Sequence, residues 1–296
     1  MASPAGVTRA VAEIKPRARP RRPAHAILTV TGTAGFLIFT LFPFYWMVVT
    51  AFKSDAEIYD LSKNPYLITS FTLQHFVNLF TTTNFPRWLL NSVIVSVIST
   101  VASVVLSILA GYSLARLRYR GAGAIGWGIF ITYLIPPTLL FLPLTAVMAN
   151  LGLLNKIWGL ILSYPTFLIP FCTWLLMGYF KGIPRELEES AIVDGCTRLQ
   201  AMYRVVLPLA LPGILSAGIF AFTLSWNEYI YALVFISDSA TKTLPIGVPS
   251  ELIRGDAFFW GELMAGALLG SVPVAVLYSF FVQHFVSGLT AGAVKG

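Results

Sequence analysis

ELEESAIVDGCTRLQAMYRVVLPL, residues 186–209, concentrates charge in a chain that is otherwise strongly apolar. Four of the thirteen acidic residues stand in this window, whereas 56% of all residues are hydrophobic and only 11% are charged. Long apolar segments flank the window on both sides, which predicts a polar loop between two membrane-spanning or deeply buried helices. Its acids are Glu186, Glu188, Glu189 and Asp194.

The apolar segments are long enough to cross a membrane. A helix needs roughly 20 apolar residues to span a hydrocarbon core of about 30 Å, whereas barrel strands are about ten residues long and alternate in polarity. The sequence therefore predicts an all-α polytopic membrane protein with six transmembrane helices. These runs lie at about 26–51, 88–114, 122–149, 157–180, 209–236 and 258–286.

The basic residues predict the orientation of these helices. With the N-terminus inside, 14 of the 20 Lys and Arg residues fall on the cytoplasmic side, six of them in residues 1–25. The positive-inside rule then places both termini in the cytoplasm. The net charge of +7 reflects this distribution and an attraction to anionic lipid, so it gives little support to a nucleic-acid partner.

Four sections follow along the chain. Residues 1–23 contain PRARPRRP and predict a disordered basic tail, because Pro disfavours a helix and like charges repel. Residues 24–87 hold the first helix, which is too long for a cleaved signal peptide, and an external loop with room for one or two short helices. The other five helices occupy 88–286, with the charged loop at 182–208, and 287–296 form a C-terminal tail predicted to be cytoplasmic.

No motif in the chain predicts enzymatic chemistry. No Gly precedes any lysine, so the G-K-[ST] element of a nucleotide-binding loop is absent, and H-E-x-x-H and G-x-S-x-G are absent too. The three His residues are scattered at 25, 75 and 284, and Cys172 and Cys196 stand in no metal-ligand spacing. We therefore expect no metal site, no disulfide between the two cysteines and no nucleotide hydrolysis by this chain.

Within the charged window, local signals predict two short helices. Pro184 suits a first helical turn, where its missing N–H would be unpaired anyway, and the helix dipole favours the acids that follow by about 0.3–1 kcal/mol each. Gly195 predicts the end of this helix. Thr197 with Gln200 has the capping-box pattern of a second start, and Pro208 and Pro212 mark entry to the fifth span. A solvated loop helix with ordinary surface charge would have a similar composition.

The same window resembles the EAA loop of ABC importer permeases, whose pattern is E-A-A, three residues, G, nine residues and I-x-L-P. Both spacings match, and the only departures are Ser190 for Ala and Val205 for Ile. The motif is specific because several fixed positions coincide with the predicted cytoplasmic loop. The matching positions are Glu189, Ser190, Ala191, Gly195, Val205, Leu207 and Pro208.

The resemblance implies the fold of a type I ABC importer transmembrane domain in a bacterial cytoplasmic (inner) membrane. In that family the loop docks into a separate ATPase subunit, so ATP and Mg are expected on that partner and no cofactor on this chain. A second homologous permease subunit and an extracytoplasmic solute-binding protein are the other implied partners. The implied ATPase-coupling residues are Glu186, Glu188, Glu189, Ser190, Ala191, Asp194, Gly195, Leu207 and Pro208.

Three stretches further resemble the smaller permease of maltose-type sugar importers: IPRELEESAIVDG, SWNEYIYAL at 225–233 and FVSGLTAGAVKG at 285–296. This resemblance covers roughly residues 26–296 and implies sugar import by alternating access, with the C-terminal tail at the ATPase interface. It also implies that the external segment 237–257 contacts the binding protein or its sugar site, with a passive surface loop as the alternative. By composition that segment, with its Pro and Gly residues, predicts a shaped surface loop.

Trp226, Asn227 and Glu228 are candidates for the substrate pathway. A carboxylate within a predicted span is costly and therefore marks a candidate functional site. The three side chains together would offer sugar hydroxyls hydrogen bonds and a stacking face. Glu228 could instead pair with another helix or with the second permease, and the sequence leaves both interpretations open.

Rival functions make different predictions. A permease of the same superfamily could carry a polyol or glycerol phosphate, but a phosphate favours Arg or Lys along its path, and no basic residue lies deep in a predicted span. A stand-alone secondary transporter would show internal repeats with midplane charges, and no convincing repeat is found. A membrane enzyme would need a catalytic constellation that the chain does not offer.

Overall fold

A computed structural model describes the backbone of residues 23–291 and the side chains of residues 27–281. It divides into two compact units, one ending at Tyr45 and the other beginning at Trp46. The helices are α1 Pro23–Phe52, α2 Asp55–Ile58, α3 Gln74–Thr82, α4 Phe85–Arg116, α5 Ala122–Leu134, α6 Pro137–Asn150, α7 Ile157–Ser163, α8 Pro165–Gly182, α9 Arg185–Val193, α10 Arg198–Ala201, α11 Leu207–Leu209, α12 Leu211–Trp226, α13 Ile230–Phe235, α14 Leu244–Leu252 and α15 Trp260–Ala291. A π-helical turn at Met202–Val206, a 3-10 turn at Ser239–Thr241 and an antiparallel ribbon of β1 Ile253–Arg254 and β2 Ala257–Phe258 complete the described elements.

The predicted spans appear as helices, but not all of them are straight. Among the described residues, four helical segments are long and apolar enough to cross a membrane: Ile27–Phe52, Phe85–Arg116, Ile157–Gly182 and Trp260–Phe281. Two bent pairs bring the number to six if each pair is counted as one span. The all-α polytopic architecture is therefore confirmed, and the third and fifth spans need correction.

The third predicted span, 122–149, is broken. Helices α5 and α6 meet at an angle of 96° across Ile135 and Pro136. The backbone of Ile135 is extended at φ −72° and ψ 119°, because a residue before proline is disfavoured in the helical region. The two consecutive prolines, Pro136 and Pro137, also remove two donors from the helical ladder.

The fifth predicted span, 209–236, is shorter and interrupted. Helix α12 begins at Leu211 after a bend of 75° and ends at Trp226, and α13 resumes the helix at Ile230. Pro212 in the first turn of α12 agrees with the predicted start near this proline. The uninterrupted apolar helix therefore has 16 residues, because the chain leaves the helical path at Asn227.

The main core lies where α4, α8 and α12 pack together. Helix α4 presents a buried row of serines that recurs every three or four residues and continues into Gly111. Small side chains let membrane helices approach closely; a Cβ on Gly111 would lie only 3.2 Å from the backbone nitrogen of Met177 in α8. The serines are Ser92, Ser96, Ser99, Ser103 and Ser107.

A second core forms at the opposite end of α4 and corrects the interpretation of residues 237–257. That segment contains α14, which packs against α4 and α15 with Leu244, Val248 and Leu252 buried. A Cβ on Gly247 would lie 2.4 Å from Cδ2 of Trp88, so this glycine permits close packing. The loop predicted from composition is therefore wrong for this part of the segment. A proline lies in the first turn of α14, and Gly247 leaves room for the indole ring of Trp88.

Both predicted tails lie partly outside the described residues. The predicted tail 1–23 lies outside the described residues except for its last residue, which begins α1. Helix α15 continues through the first five residues of the predicted tail 287–296 and ends at Ala291; the remaining five lie outside the described residues. The predicted external loop does contain two short helices, α2 and α3.

Candidate functional site

The charged window folds into two short helices, as its local signals predict. Helix α9 ends in a Schellman turn, in which the N–H of Cys196 donates to the carbonyl of Ala191 and that of Gly195 to the carbonyl of Ile192, both at 3.0 Å. Gly195 has φ +93°, a conformation that costs a residue with a Cβ about 1–2 kcal/mol. The glycine therefore ends the helix, as predicted.

The second helix start is also confirmed. The backbone N–H of Gln200 donates to the hydroxyl of Thr197 at 3.3 Å, and the N–H of Thr197 donates to the side-chain oxygen of Gln200 at 2.8 Å. The chain then widens into the π-helical turn, in which the N–H of Leu207 reaches the carbonyl of Met202. Pro208 accounts for this widening, since its ring would clash with the carbonyl of Arg204 in a regular α-helix.

The outer face of α9 is exposed and carries both charge and apolar surface. A shallow depression is lined by Glu186, Glu189, Ser190, Val193 and Asp194. Val193 is 86% exposed, and Leu187 and Ile192 of the same helix are also exposed. An exposed apolar residue within a charged rim is typical of a protein interface.

Glu188, one of the predicted coupling residues, does not lie on that outer face. It is buried, and its carboxylate accepts a hydrogen bond from the hydroxyl of Tyr112 in α4. Its other oxygen lies 3.6 Å from Nε of Arg116, and Nη2 of Arg116 donates to the carbonyl of Ile183 at 2.7 Å. Glu188 therefore holds α9 against the end of α4, and its role in ATPase coupling stays a prediction.

An arginine-rich cavity beside this contact was missed by the sequence interpretation. Four arginines and two glutamates line it, together with Ile192. The alternating arginines at the end of the second span were a sequence signal for this cavity. That they converge with α9 and α10 depends on how these helices pack against the end of α4. The charged residues of the cavity are Arg116, Arg118, Arg185, Arg198, Glu188 and Glu189.

The interruption of the fifth span is held by Glu228. One carboxylate oxygen accepts the N–H of Tyr231 at 2.9 Å; the other accepts the N–H of Ala232 at 3.1 Å and the hydroxyl of Tyr164 at 2.9 Å. The side chain thus satisfies backbone donors at the start of α13 and links this helix to Tyr164, the residue between α7 and α8. Of the two open interpretations of Glu228, the structure supports pairing with another helix.

The neighbours of Glu228 differ in what they can offer to a solute. Trp226 is buried, its indole Nε1 donates to the carbonyl of Gly270 at 3.1 Å, and its ring stacks on Phe222. Its ring is therefore covered in this structure, whereas a stacking role would need an open face. Asn227 is exposed, and its amide donates to the carbonyl of Thr223 at 2.9 Å. A role of these residues in the substrate pathway stays a prediction.

At the opposite end of α4 a buried ion pair organises the loop after α1. Nζ of Lys53 donates to the carbonyls of Asn64 and Pro65 at 2.8 and 2.9 Å and lies 3.6 Å from Glu57. The Glu57 carboxylate accepts backbone N–H groups, including that of Ser70 at 2.7 Å. Desolvation opposes ionisation, but these donors hold the pKa of Glu57 below its usual value. Close by, Asp55, His75 and Glu262 form a group that could hold a metal ion.

Residues 103–291 match the model of a known protein family, which is described as "Binding-protein-dependent transport system inner membrane component". The sulfoquinovosyl glycerol transport system permease protein SmoH of Agrobacterium fabrum is 40% identical, with 92% of each chain covered. The inner membrane ABC transporter permease protein YcjP of Escherichia coli is 38% identical, over 90% of this chain and 95% of the relative. The trehalose/maltose transport system permease protein MalG of Thermococcus litoralis is 31% identical, over 91% and 97%.

Solved structures show the same fold. A bacterial ABC transporter involved in the import of the acidic polysaccharide alginate matches with a TM-score of 0.80 and 20% identity, over 92% of this chain and 100% of the matched chain. A bacterial alginate ABC transporter in complex with an alginate pentasaccharide-bound periplasmic protein matches with a TM-score of 0.65 and 20% identity, over 88% and 92%. These likenesses confirm the type I importer transmembrane fold.

Proposed function

Since the chain belongs to the family of binding-protein-dependent transport system inner membrane components, the membrane subunits of ABC importers, we propose that it is the permease subunit of an ATP-driven sugar importer. It is a transport subunit by family. In this proposal it forms half of the translocation pathway, and a second homologous permease forms the other half. ATP and Mg are bound by separate ATPase subunits, and this chain binds no cofactor of its own in the transport cycle.

The outer face of α9 carries the proposal. A coupling element needs a rigid helix that is anchored to the membrane helices and still exposes a surface to a partner. Helix α9 meets both conditions, because Glu188 ties it to α4 while Glu189 and Val193 remain exposed. We therefore assign ATPase coupling to the outer face, together with the turn at Gly195 and the entry to α12 at Leu207 and Pro208.

The relatives support a sugar as the solute. Two of the named relatives are a trehalose/maltose permease and a sulfoquinovosyl glycerol permease. Along α1, α4, α8 and α15, the described side chains include basic residues only in the first or last turn of a helix, so these helices offer no deep basic partner for the phosphate of glycerol phosphate. A polyol remains the alternative within the same superfamily.

The partners and location follow from the same assignment. We propose an extracytoplasmic solute-binding protein as the donor of the sugar, supported by the periplasmic protein present in one of the alginate transporter structures. The chain is multi-pass in the membrane, and we propose that this is a bacterial inner membrane with both termini in the cytoplasm. The coupling helix then faces the cytoplasm, where an ATPase can reach it.

Gentle purification of the tagged chain from its native membrane tests the proposal, with mass spectrometry of the co-purifying proteins. We expect an ATPase, a second permease and a binding protein whose ligand identifies the solute. Val193→Glu, which adds charge to the exposed face, should reduce recovery of the ATPase. A matched Leu→Glu change at fully exposed Leu61, in the loop after α2 and away from α9, should leave ATPase recovery unchanged. Transport in vesicles without ATP by the chain alone would contradict the proposal.

A further inference from the structure

Three potential metal ligands converge where α2, α3 and the start of α15 meet. Asp55, His75 and Glu262 each place one ligand atom within 4.8 Å of the others. The residues are far apart in the sequence, and Glu262 lies in the sixth apolar run, where sequence analysis gave it no role. Their convergence departs from the expectation of no metal site, which rested on spacing alone.

The imidazole of His75 is oriented with one nitrogen directed at the two carboxylates. Its Nε2 lies 2.7 Å from the carbonyl oxygen of Lys53; a carbonyl only accepts, so Nε2 carries a proton. Nδ1 is buried and has no hydrogen-bond partner, and it lies 3.3 Å from Oε1 of Glu262. A metal-bound histidine commonly donates its second N–H to a backbone carbonyl in this way.

The backbone of α15 keeps this ring in place. A Cβ on Gly261 would lie 2.2 Å from Cε1 of His75, so the ring occupies the space that any larger residue would fill. Glu262, the next residue, is buried and accepts a hydrogen bond from Nδ2 of Asn78 at 2.9 Å. Two of the three ligand groups are therefore held before any ion binds.

The distances suit a transition metal. Zinc binds nitrogen and oxygen at about 2.0–2.2 Å in tetrahedral sites, which separates neighbouring ligand atoms by roughly 3.3 Å. The separation of His75 Nδ1 and Glu262 Oε1 is 3.3 Å. Asp55 is exposed, so its carboxylate can close the remaining gap by rotating, and its solvent side leaves room for a water as fourth ligand.

The local charge favours a cation. Two carboxylates lie beside Nδ1 of His75, while the nearby ammonium of Lys53 is occupied by two carbonyls and Glu57. Imidazole with carboxylates is a ligand set that suits zinc and similar divalent transition metals. We propose that Asp55, His75 and Glu262 bind one divalent transition metal ion of the zinc class, which ties α2 and α3 to the start of α15.

Zinc titration of the full-length chain tests this site. The chain is purified in mild detergent with its co-purifying subunits, stripped with a chelator, dialysed and titrated with Zn²⁺ by calorimetry. We expect wild type to bind one more zinc per chain than His75→Gln, and Asp55→Asn to weaken that binding at least tenfold. Asp60→Asn, an exposed acid hydrogen-bonded to Ser62, is the control and should bind like wild type.

Cobalt provides a second readout. Co²⁺ in place of zinc should give visible absorption typical of a tetrahedral site in wild type, and this absorption should be lost in His75→Gln. Equal zinc binding by wild type and Asp55→Asn would overturn the proposal, as would no binding by wild type, which would leave His75 and Glu262 as an ion pair only. Asp55 is exposed, so its variant should fold and decide the question even if His75→Gln does not.

Discussion

Glu188 offers the sharpest test of how α9 is joined to the membrane helices. Replacing it with Gln preserves the size of the side chain and an acceptor for the hydroxyl of Tyr112 but removes the charge that faces Arg116. At 3.6 Å, two unit charges attract by about 4.6 kcal/mol when the effective dielectric constant is about 20. Desolvation of both buried groups offsets most of this attraction. We expect the substitution to lower the free energy of unfolding by about 1–2 kcal/mol.

Glu188→Ala should cost more. It leaves Nε of Arg116 and the hydroxyl of Tyr112 buried without a partner, and uncompensated groups of this kind typically cost about 3–5 kcal/mol. Loosening α9 should also reduce coupling. We expect fewer solute molecules transported per ATP hydrolysed in liposomes that contain the whole transporter.

The assay is a double-mutant cycle with Tyr112→Phe and Glu188→Gln, measured by thermal unfolding in detergent and by the ratio of transport to ATP hydrolysis. Because Tyr112 and Glu188 share a hydrogen bond to a charged oxygen, we expect an interaction energy of about 1 kcal/mol. Glu186→Gln, on the exposed side of the same helix, is the matched control and should lower the free energy of unfolding by less than about 0.5 kcal/mol, through the helix dipole alone. The reasoning would be refuted if the stability effects of Tyr112→Phe and Glu188→Gln were additive within about 0.3–0.5 kcal/mol. It would also be refuted if Glu186→Gln lowered stability as much as Glu188→Gln.

Three further substitutions test other contacts. Glu228→Gln removes the charge that accepts two backbone N–H groups and the Tyr164 hydroxyl, so unfolding in detergent should become easier by about 2 kcal/mol. Gly247→Ala forces a methyl group into Trp88 and should cost about 1–3 kcal/mol in the same measurement. Gly195→Ala forces a left-handed backbone on a residue with a Cβ, so it should cost about 1–2 kcal/mol and lower transport-coupled ATPase activity.

Controls for these substitutions come from the same chain. Asn227→Ala, beside Glu228 but exposed, should change stability by less than about 0.5 kcal/mol. Gly178→Ala adds a methyl group where no atom lies within 4 Å, so it should be neutral or slightly stabilising. If Gly247→Ala proved as mild as Gly178→Ala, the close packing of α14 on Trp88 would be in doubt. An unchanged unfolding temperature in Glu228→Gln would argue that its three hydrogen bonds contribute little.

The sequence by itself determined the features that depend on neighbouring residues. Apolar runs long enough to cross the hydrocarbon core of a membrane predicted the spans. Local capping signals at Gly195 and Thr197 predicted where α9 ends and where α10 starts. The spacing of the EAA-type motif identified the family. These signals act over a few residues or over one helix, so no knowledge of the packing is needed to interpret them.

Only the tertiary structure decided which charged side chains face inward. Glu188 and Glu189 are adjacent, yet one meets Tyr112, 76 positions away, and the other is exposed. The same holds for Glu228, whose partner Tyr164 is 64 positions away, and for the convergence of Asp55, His75 and Glu262. Such contacts depend on how whole helices lie against one another, and periodicity within one segment carries no information about the residues that a neighbouring helix presents.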